Sequence, residues 1–221
     1  MQMSEEKTRE GWKRLKHGIW PYFTKKYPET KHIRIKECGA EGDCMFHVLA
    51  HGINNFMGSR FTMQHLRDVT ADQLSLKNMD EVLLACPQPK LSVLTKEKQL
   101  EKLKKMIKTP GNTIWGEEGM LRYLLLPSFL FQQLGIGFCI LTTSIYESHN
   151  KMVCYAQPIV NAKTKYVLFL YCKSNVHFQL VGVSDVQQKK KKSMKSVFPI
   201  HHIPTALKQY MVQKELIYKT L

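Results

Sequence analysis

Residues 39 to 47 read Gly39-Ala40-Glu41-Gly42-Asp43-Cys44-Met45-Phe46-His47, a glycine-punctuated acidic turn that delivers one cysteine to the start of an apolar, helix-forming run. A thiol in the first turn of a helix meets unpaired backbone N–H groups and the positive end of the helix dipole. Both favour a thiolate, and the same groups can hold a developing oxyanion. Gly42 has a physical reason to be glycine, since a tight loop aiming several N–H groups at one point needs unusual dihedrals; an ordinary turn is the plainer alternative. A cysteine alone carries little weight, because most buried cysteines act as small hydrophobes. It needs a base. Residues 166–171 and 177–183 read as two short apolar strands separated by a polar turn, which puts His177 where turn meets strand. A histidine in that position can reach a thiol presented by a distant helix, as nucleophilic thiol chemistry requires.

These two segments and a third together resemble the ovarian-tumour (OTU) family of cysteine proteases, most of which are deubiquitinases. Glu41-Gly-Asp-Cys-Met-Phe46 is similar to the family's Asp-Gly-Asn-Cys-Leu-Phe box, and His177-Phe178 to its terminal His-aromatic pair. The third match runs from Trp115-Gly-Glu-Glu-Gly-Met-Leu121 through Leu134-Gly-Ile136 to the apolar run Phe138-Cys-Ile-Leu141. It resembles the family's Trp-Gly box and the helix and core strand that follow. Phe61-Thr-Met-Gln-His-Leu-Arg67 looks like the helix start that comes after the cysteine helix. In order and spacing the matches cover roughly residues 33 to 183.

The resemblance implies an α+β, papain-like fold with a mixed central sheet flanked by helices. It also implies a cysteine-dependent hydrolase of isopeptide or peptide bonds at the C-terminus of ubiquitin or a ubiquitin-like modifier, working through a thioester without a metal or other cofactor. Cys44 would be the nucleophile, His177 the base, and the loop with Gly42 and Asp43 the oxyanion cradle. The group that orients His177 is where the chain departs from the pattern. The family commonly uses an Asp three residues before the cysteine, or an Asp or Asn two residues after the histidine; here those positions are Glu41 and Gln179, each one methylene longer. Glu41 is favoured, because its charge stabilises an imidazolium better than a neutral amide does. Asp43 is a third candidate, though it could equally cap the cysteine helix. In OTU enzymes the region matching residues 77–110 commonly forms a helical arm that contacts bound ubiquitin, and Leu100, Leu103 and Ile107 are its candidate substrate contacts. A basic surface helix packed on the domain through those three residues is the alternative. The altered orienting positions keep a second reading open, a catalytically impaired ubiquitin-binding module.

The 221 residues suit one domain with modest extensions, and a hydrophobic content of 43% can build a core. The expected division is a basic N-terminal extension over 1–31, a catalytic domain over 32–186 and a basic C-terminal extension over 187–221. The formal net charge of +15 follows that division: residues 1–37 carry +5, residues 187–221 carry +7, and only +3 falls between. Lys189-Lys-Lys-Lys192 with Lys195 is the densest run. Such a run is a solvated loop by default, yet it leaves attraction to nucleic acid, an anionic surface or a nuclear-import receptor open, and with it a third reading as a nucleic-acid-associated protein. No apolar run approaches the roughly 18 residues needed to span a bilayer. Cysteines at 38, 44, 86, 139, 154 and 172 form no CxxC pair, which suggests reduced thiols in an intracellular, cytoplasmic setting; a monomer is expected. A compact, stand-alone domain of this kind is compatible with a large DNA virus.

Along the chain, a basic amphipathic segment near 5–17 precedes a short strand over 32–36, and the cysteine helix should run from about Asp43 to Asn54. Thr62 is the expected N-cap of the next helix, with Leu66, Val69 and Leu74 on its apolar side. A further helix is expected over Thr95–Ile107, ended by Pro110-Gly111. Residues 115–134 read as helical with a break at Pro127. Strands are expected near 137–143, 151–157 and 165–171, ahead of the His177 strand. His47 reads as a structural or rim residue, Cys38 as a strand-end structural thiol with a reactive one as the alternative, and Trp115 as core or site-wall packing, bordering the catalytic histidine in the alternative. His51, His201 and His202 lack ligand partners at metal-binding spacing.

Overall fold

The structure is a computed structural model that describes residues 11–14, 25, 28–39, 42–85, 87–111, 125–146, 151–173, 177–184, 194–212 and 218–219. Nine strands among these form one mixed sheet: β1 (Trp12–Arg14), β2 (Ile33–Lys36), β3 (Ile136–Tyr146), β4 (Lys151–Ile159), β5 (Tyr166–Lys173), β6 (His177–Ser184), β7 (Met194–Lys195), β8 (Val197–Pro199) and β9 (Tyr218–Lys219). Their order is β1-β2-β6-β5-β3-β4-β9, with β7 paired to β6 and β8 to β5. β5 runs parallel to β3 and antiparallel to β6 and β8. Its residues from Val167 to Cys172 are all buried, as expected of a strand covered on both faces.

The period of two along β5 separates two cores. Leu168, Leu170 and Cys172 face the helical layer that includes Cys44, Phe46 and Leu49, whereas Val167, Phe169 and Tyr171 join Ile33, Ile35, Phe198, Ile203 and Leu207 on the other face. The first layer is built by α1 (Cys44–Met57), α2 (Met63–Asp72), α3 (Met79–Ala85), α4 (Lys96–Lys108) and a short α5 (Leu126–Phe129) that continues as a π-helical turn over Leu130–Leu134. The second is closed by α6 (Thr205–Val212). α1 lies close on the sheet because residue 52 is glycine: a Cβ there would stand 2.4 Å from Leu168 Cδ1. The helix runs past Asn54 to Met57 and ends where Gly58, at φ 67, donates its N–H to the Asn54 carbonyl.

Local signals match their elements. Thr62 caps α2 by accepting from the His65 N–H at 3.0 Å, and Thr95 caps α4 by accepting from Lys98. Pro127 lies in the first turn of α5, where a missing N–H costs nothing. The expected start of that helix at 115–124 lies outside the described residues.

The boundaries drawn at 31/32 and 186/187 require correction, because β1, β7, β8 and β9 all belong to the one sheet. Trp12 is 3% exposed, and its ring covers Gly182 so closely that a Cβ there would meet it at 2.7 Å. Phe198, Ile203 and Leu207 are core residues. Lysine content masked this apolar periodicity in the sequence. Lys195 lies in β7, while Lys189 to Lys192 lie outside the described residues. No helix among the described residues is long and apolar enough to cross a membrane.

Candidate active site

Cys44 is the first residue of α1. The ladder of that helix opens with the bond from the His47 N–H to the Asp43 carbonyl at 3.0 Å, so the amides of residues 44–46 lie ahead of it. The preceding Gly42 has φ 83, a conformation that side chains rarely adopt. The thiol is nearly enclosed, with the residue 4% exposed, and its sulfur accepts the Phe178 backbone N–H at 3.4 Å. That bond joins the start of α1 to the start of β6. It brings Cys44 beside the residue next to His177, across 134 positions of sequence.

His177 is half-buried, and its Nε2 lies 2.6 Å from Glu37 Oε2. The other oxygen, Glu37 Oε1, accepts a short hydrogen bond from Gln179 Nε2. Glu37 was not among the residues singled out from sequence. It follows β2 by one position, and β2 pairs antiparallel with β6, Ile35 opposite Val181 and Lys36 opposite Leu180. Continuing that register by one step sets Glu37 across from Gln179. Ile33, Ile35 and Glu37 fall on one face of their strand, as His177, Gln179 and Val181 do on theirs, so a carboxylate at the end of β2 meets an imidazole at the start of β6. The alternation of β2 puts Glu37 on the face of Ile33 and Ile35; the partner strand it does not reveal.

The three orienting candidates fare differently. Gln179 is buried and touches the carboxylate that holds His177, while its own Oε1 finds no partner among the described residues. Asp43 is engaged elsewhere. Its Oδ1 accepts from Arg67 Nε at 2.6 Å, its Oδ2 accepts the Gly111 N–H at 2.7 Å, and its side chain makes no capping bond to α1. Asp43 therefore neither caps the helix nor orients the histidine. Glu41 and Trp115 lie outside the described residues.

The arm residues also need correction. Leu103 and Ile107 are fully buried and Leu100 is packed against the same core, so α4 turns this stripe inward and its lysines outward. Apolar side chains that the segment does expose are Leu84 and Val93, at 84% and 86%. Near them is a shallow groove of about 350 Å³ lined by Leu83, Pro87, Gln88, Leu91, Ser92 and Gln99.

Other candidates serve as packing or surface. The His47 ring lies against Gly39, where a Cβ would come within 2.3 Å of it. Burial lowers the affinity of His51 for a proton, with Lys36 adding to the effect. Cys38 donates weakly to the Lys36 carbonyl at 3.7 Å, and burial pushes its thiol up to about 11. His201 and His202 are exposed in a single 3-10 turn. Among the described residues no three His, Cys, Asp or Glu side chains converge as metal ligands.

The course of the chain can be compared with known proteins. It is similar to solved OTU domains. An OTU deubiquitinase from Wolbachia pipientis wMel bound to ubiquitin superposes with a TM-score of 0.44 at 10% identity, over 68% of this chain and 95% of that one. The OTU domain of OTUD1 gives 0.46 at 12% identity, over 71% and 89%. The Hazara virus OTU bound to ubiquitin gives 0.43 at 15% identity, over 83% and 96%. No sequence-family model matches the chain, and no curated protein is detectably similar to it in sequence. The chemistry therefore rests on the residues themselves.

Proposed function

We propose that the chain is a cysteine-dependent hydrolase of ubiquitin or ubiquitin-like conjugates, with Cys44 as nucleophile and His177 as base. The observation that supports the reading is the 3.4 Å bond from the Phe178 N–H to Cys44 Sγ, which holds the thiol, at the head of a helix, against the residue that follows His177. The motifs around both residues, with their resemblance to OTU enzymes, supply the substrate class.

The geometry divides the histidine's two nitrogens. Glu37 occupies Nε2, and a carboxylate accepts there only if Nε2 carries a proton. Nδ1 is then the nitrogen that takes the proton of the Cys44 thiol, leaving a thiolate and an imidazolium. The sulfur bonds to the carbonyl carbon of the scissile bond, and the negative charge moves to the carbonyl oxygen, close to the amides of residues 44–46. Collapse expels the amine, which takes the proton from His177, and leaves a thioester. Water then gives a proton to His177 as it attacks the thioester, and collapse returns that proton to the departing Cys44 sulfur, releasing the carboxylic acid, which ionises by losing its proton to solvent.

A ubiquitin bearing a C-terminal electrophile tests the assignment. It should form a covalent adduct with the wild-type chain and none with Cys44→Ala, and His177→Ala should abolish turnover of a ubiquitin-amide substrate while ubiquitin binding persists. Binding without adduct formation would favour the impaired module; hydrolysis at wild-type rate in either variant would end the assignment.

A further inference from the structure

We propose that Glu37 is the positioning residue for His177, and that Gln179 fixes Glu37 in turn. This rests on the Cys44–His177 reading above and replaces the orienting roles expected of Glu41 and Asp43. Glu37 spends both carboxylate oxygens, Oε2 on His177 Nε2 at 2.6 Å and Oε1 on the Gln179 amide. Two donors from one strand hold the carboxylate plane across from the imidazole, so the ring's tautomer and tilt are set together.

The arrangement explains why residue 179 carries an amide where a carboxylate would otherwise serve. Beside Glu37 a second carboxylate would repel the first, and one of the two would have to take up a proton. A buried amide instead donates to Glu37 without adding a second negative charge. Lys173 lies opposite His177 in the β5–β6 register, whereas Lys36, one residue before Glu37, lies over the Trp12 ring on the other face of β2. Cys38, on the other side of Glu37, is a half-buried thiol that supplies no charge at neutral pH. Among the described residues Glu37 is the carboxylate that contacts His177. At 52% side-chain exposure it is accessible to solvent, so its influence is moderated by screening, and position matters as much as charge.

The experiment pairs steady-state kinetics on a ubiquitin-amide substrate with the pH profile of Cys44 alkylation by iodoacetamide, which needs no ubiquitin. Glu37→Gln should lower kcat about tenfold or more with KM nearly unchanged, and should displace the alkylation profile by roughly one pH unit, as loss of a neighbouring charge does. Glu37→Asp, which keeps the charge but shortens the reach, should fall between wild type and Glu37→Gln in kcat. Gln179→Ala should lower kcat by a smaller factor while leaving the alkylation profile near wild type. A Glu37→Gln enzyme with wild-type kcat and an unmoved profile would overturn the proposal, whatever the fate of the hydrolase reading. Conversely, a moved profile in a protein that hydrolyses no ubiquitin substrate would support Glu37 and remove the substrate assignment.

Discussion

The carboxylate of Asp43 is paired with the guanidinium of Arg67, a side chain with no exposed surface, and so the residue just before Cys44 is anchored on α2. Arg67 also donates to the Ile107 carbonyl at 2.7 Å, and its guanidinium carbon stands 4.6 Å from the Phe46 ring centroid. Because Gly111 donates to the same carboxylate at 2.7 Å, the end of α4 and the start of α1 share one ion pair.

Removing Arg67 should therefore cost more than an ordinary surface charge. Arg67→Ala strands a buried carboxylate, and a loss of about 3–5 kcal/mol in urea-melt stability is expected. Arg67→Lys should recover only part of it, since an ammonium cannot replace the planar fork that serves a carboxylate and a carbonyl together. A loss below about 1 kcal/mol in Arg67→Ala would mean that water reaches Asp43 and that the pair does not brace the nucleophile loop.

The segment between α2 and the Trp115 region is expected to hold substrate through its exposed apolar residues. Leu84→Ser and Val93→Ser should raise KM for a ubiquitin substrate several-fold with little change in kcat, as loss of uniform binding does. Leu103→Ala and Ile107→Ala should instead lower stability by about 2–5 kcal/mol, the range for truncating a buried aliphatic residue. Wild-type KM in the Leu84 and Val93 variants would leave this surface without a role in capture.

What the sequence yields and what it withholds separate by distance along the chain. Cys44, with Gly42 before it and an apolar run after it, is a local pattern, as are the threonine caps at 62 and 95. The apolar stripe of α4 is equally legible, but not the layer it faces, and Leu103 and Ile107 consequently look like contacts when they are core. Glu37 is harder still. Its role depends on β2 pairing with β6 in one register, 140 residues away from His177, and no local periodicity carries that information. The acidic residue nearest in sequence, Asp43, is drawn instead to a buried arginine that sequence spacing does not single out. In the C-terminal region, the lysine run at 189–192 with Lys195 overshadows the lysine-free stretch 196–207, whose Phe198 and Leu207 lie in a strand and a helix that complete the second core.

The two thiols near the site should differ sharply in reactivity, and pH separates them. Burial, with a smaller contribution from Glu37, raises the Cys38 thiol from the usual 9.0 to about 11, and Lys36 opposes the shift without cancelling it. At pH 8 roughly one Cys38 in a thousand is then a thiolate, the form that alkylating reagents attack. Cys44, at a helix N-terminus and bonded to the residue after His177, is the thiol expected to react near neutrality. Iodoacetamide at pH 7.5 followed by peptide mapping should find label on Cys44 and almost none on Cys38. The Cys38 rate should climb about tenfold per pH unit toward 11, as a thiolate-limited reaction does. Stability carries the same signature: between the ordinary thiol range and about 11 the unfolded chain gives up this proton while the folded chain keeps it. With fewer protons on the unfolded state, unfolding becomes easier as pH rises through that window, and the contribution is fully present only below it. Cys38→Ala should therefore flatten the alkaline side of the stability profile. Equal labelling of Cys38 and Cys44 at pH 7.5 would show that Cys38 is not held in its protonated form, and that the strand end beside Glu37 is more open to solvent than its packing indicates.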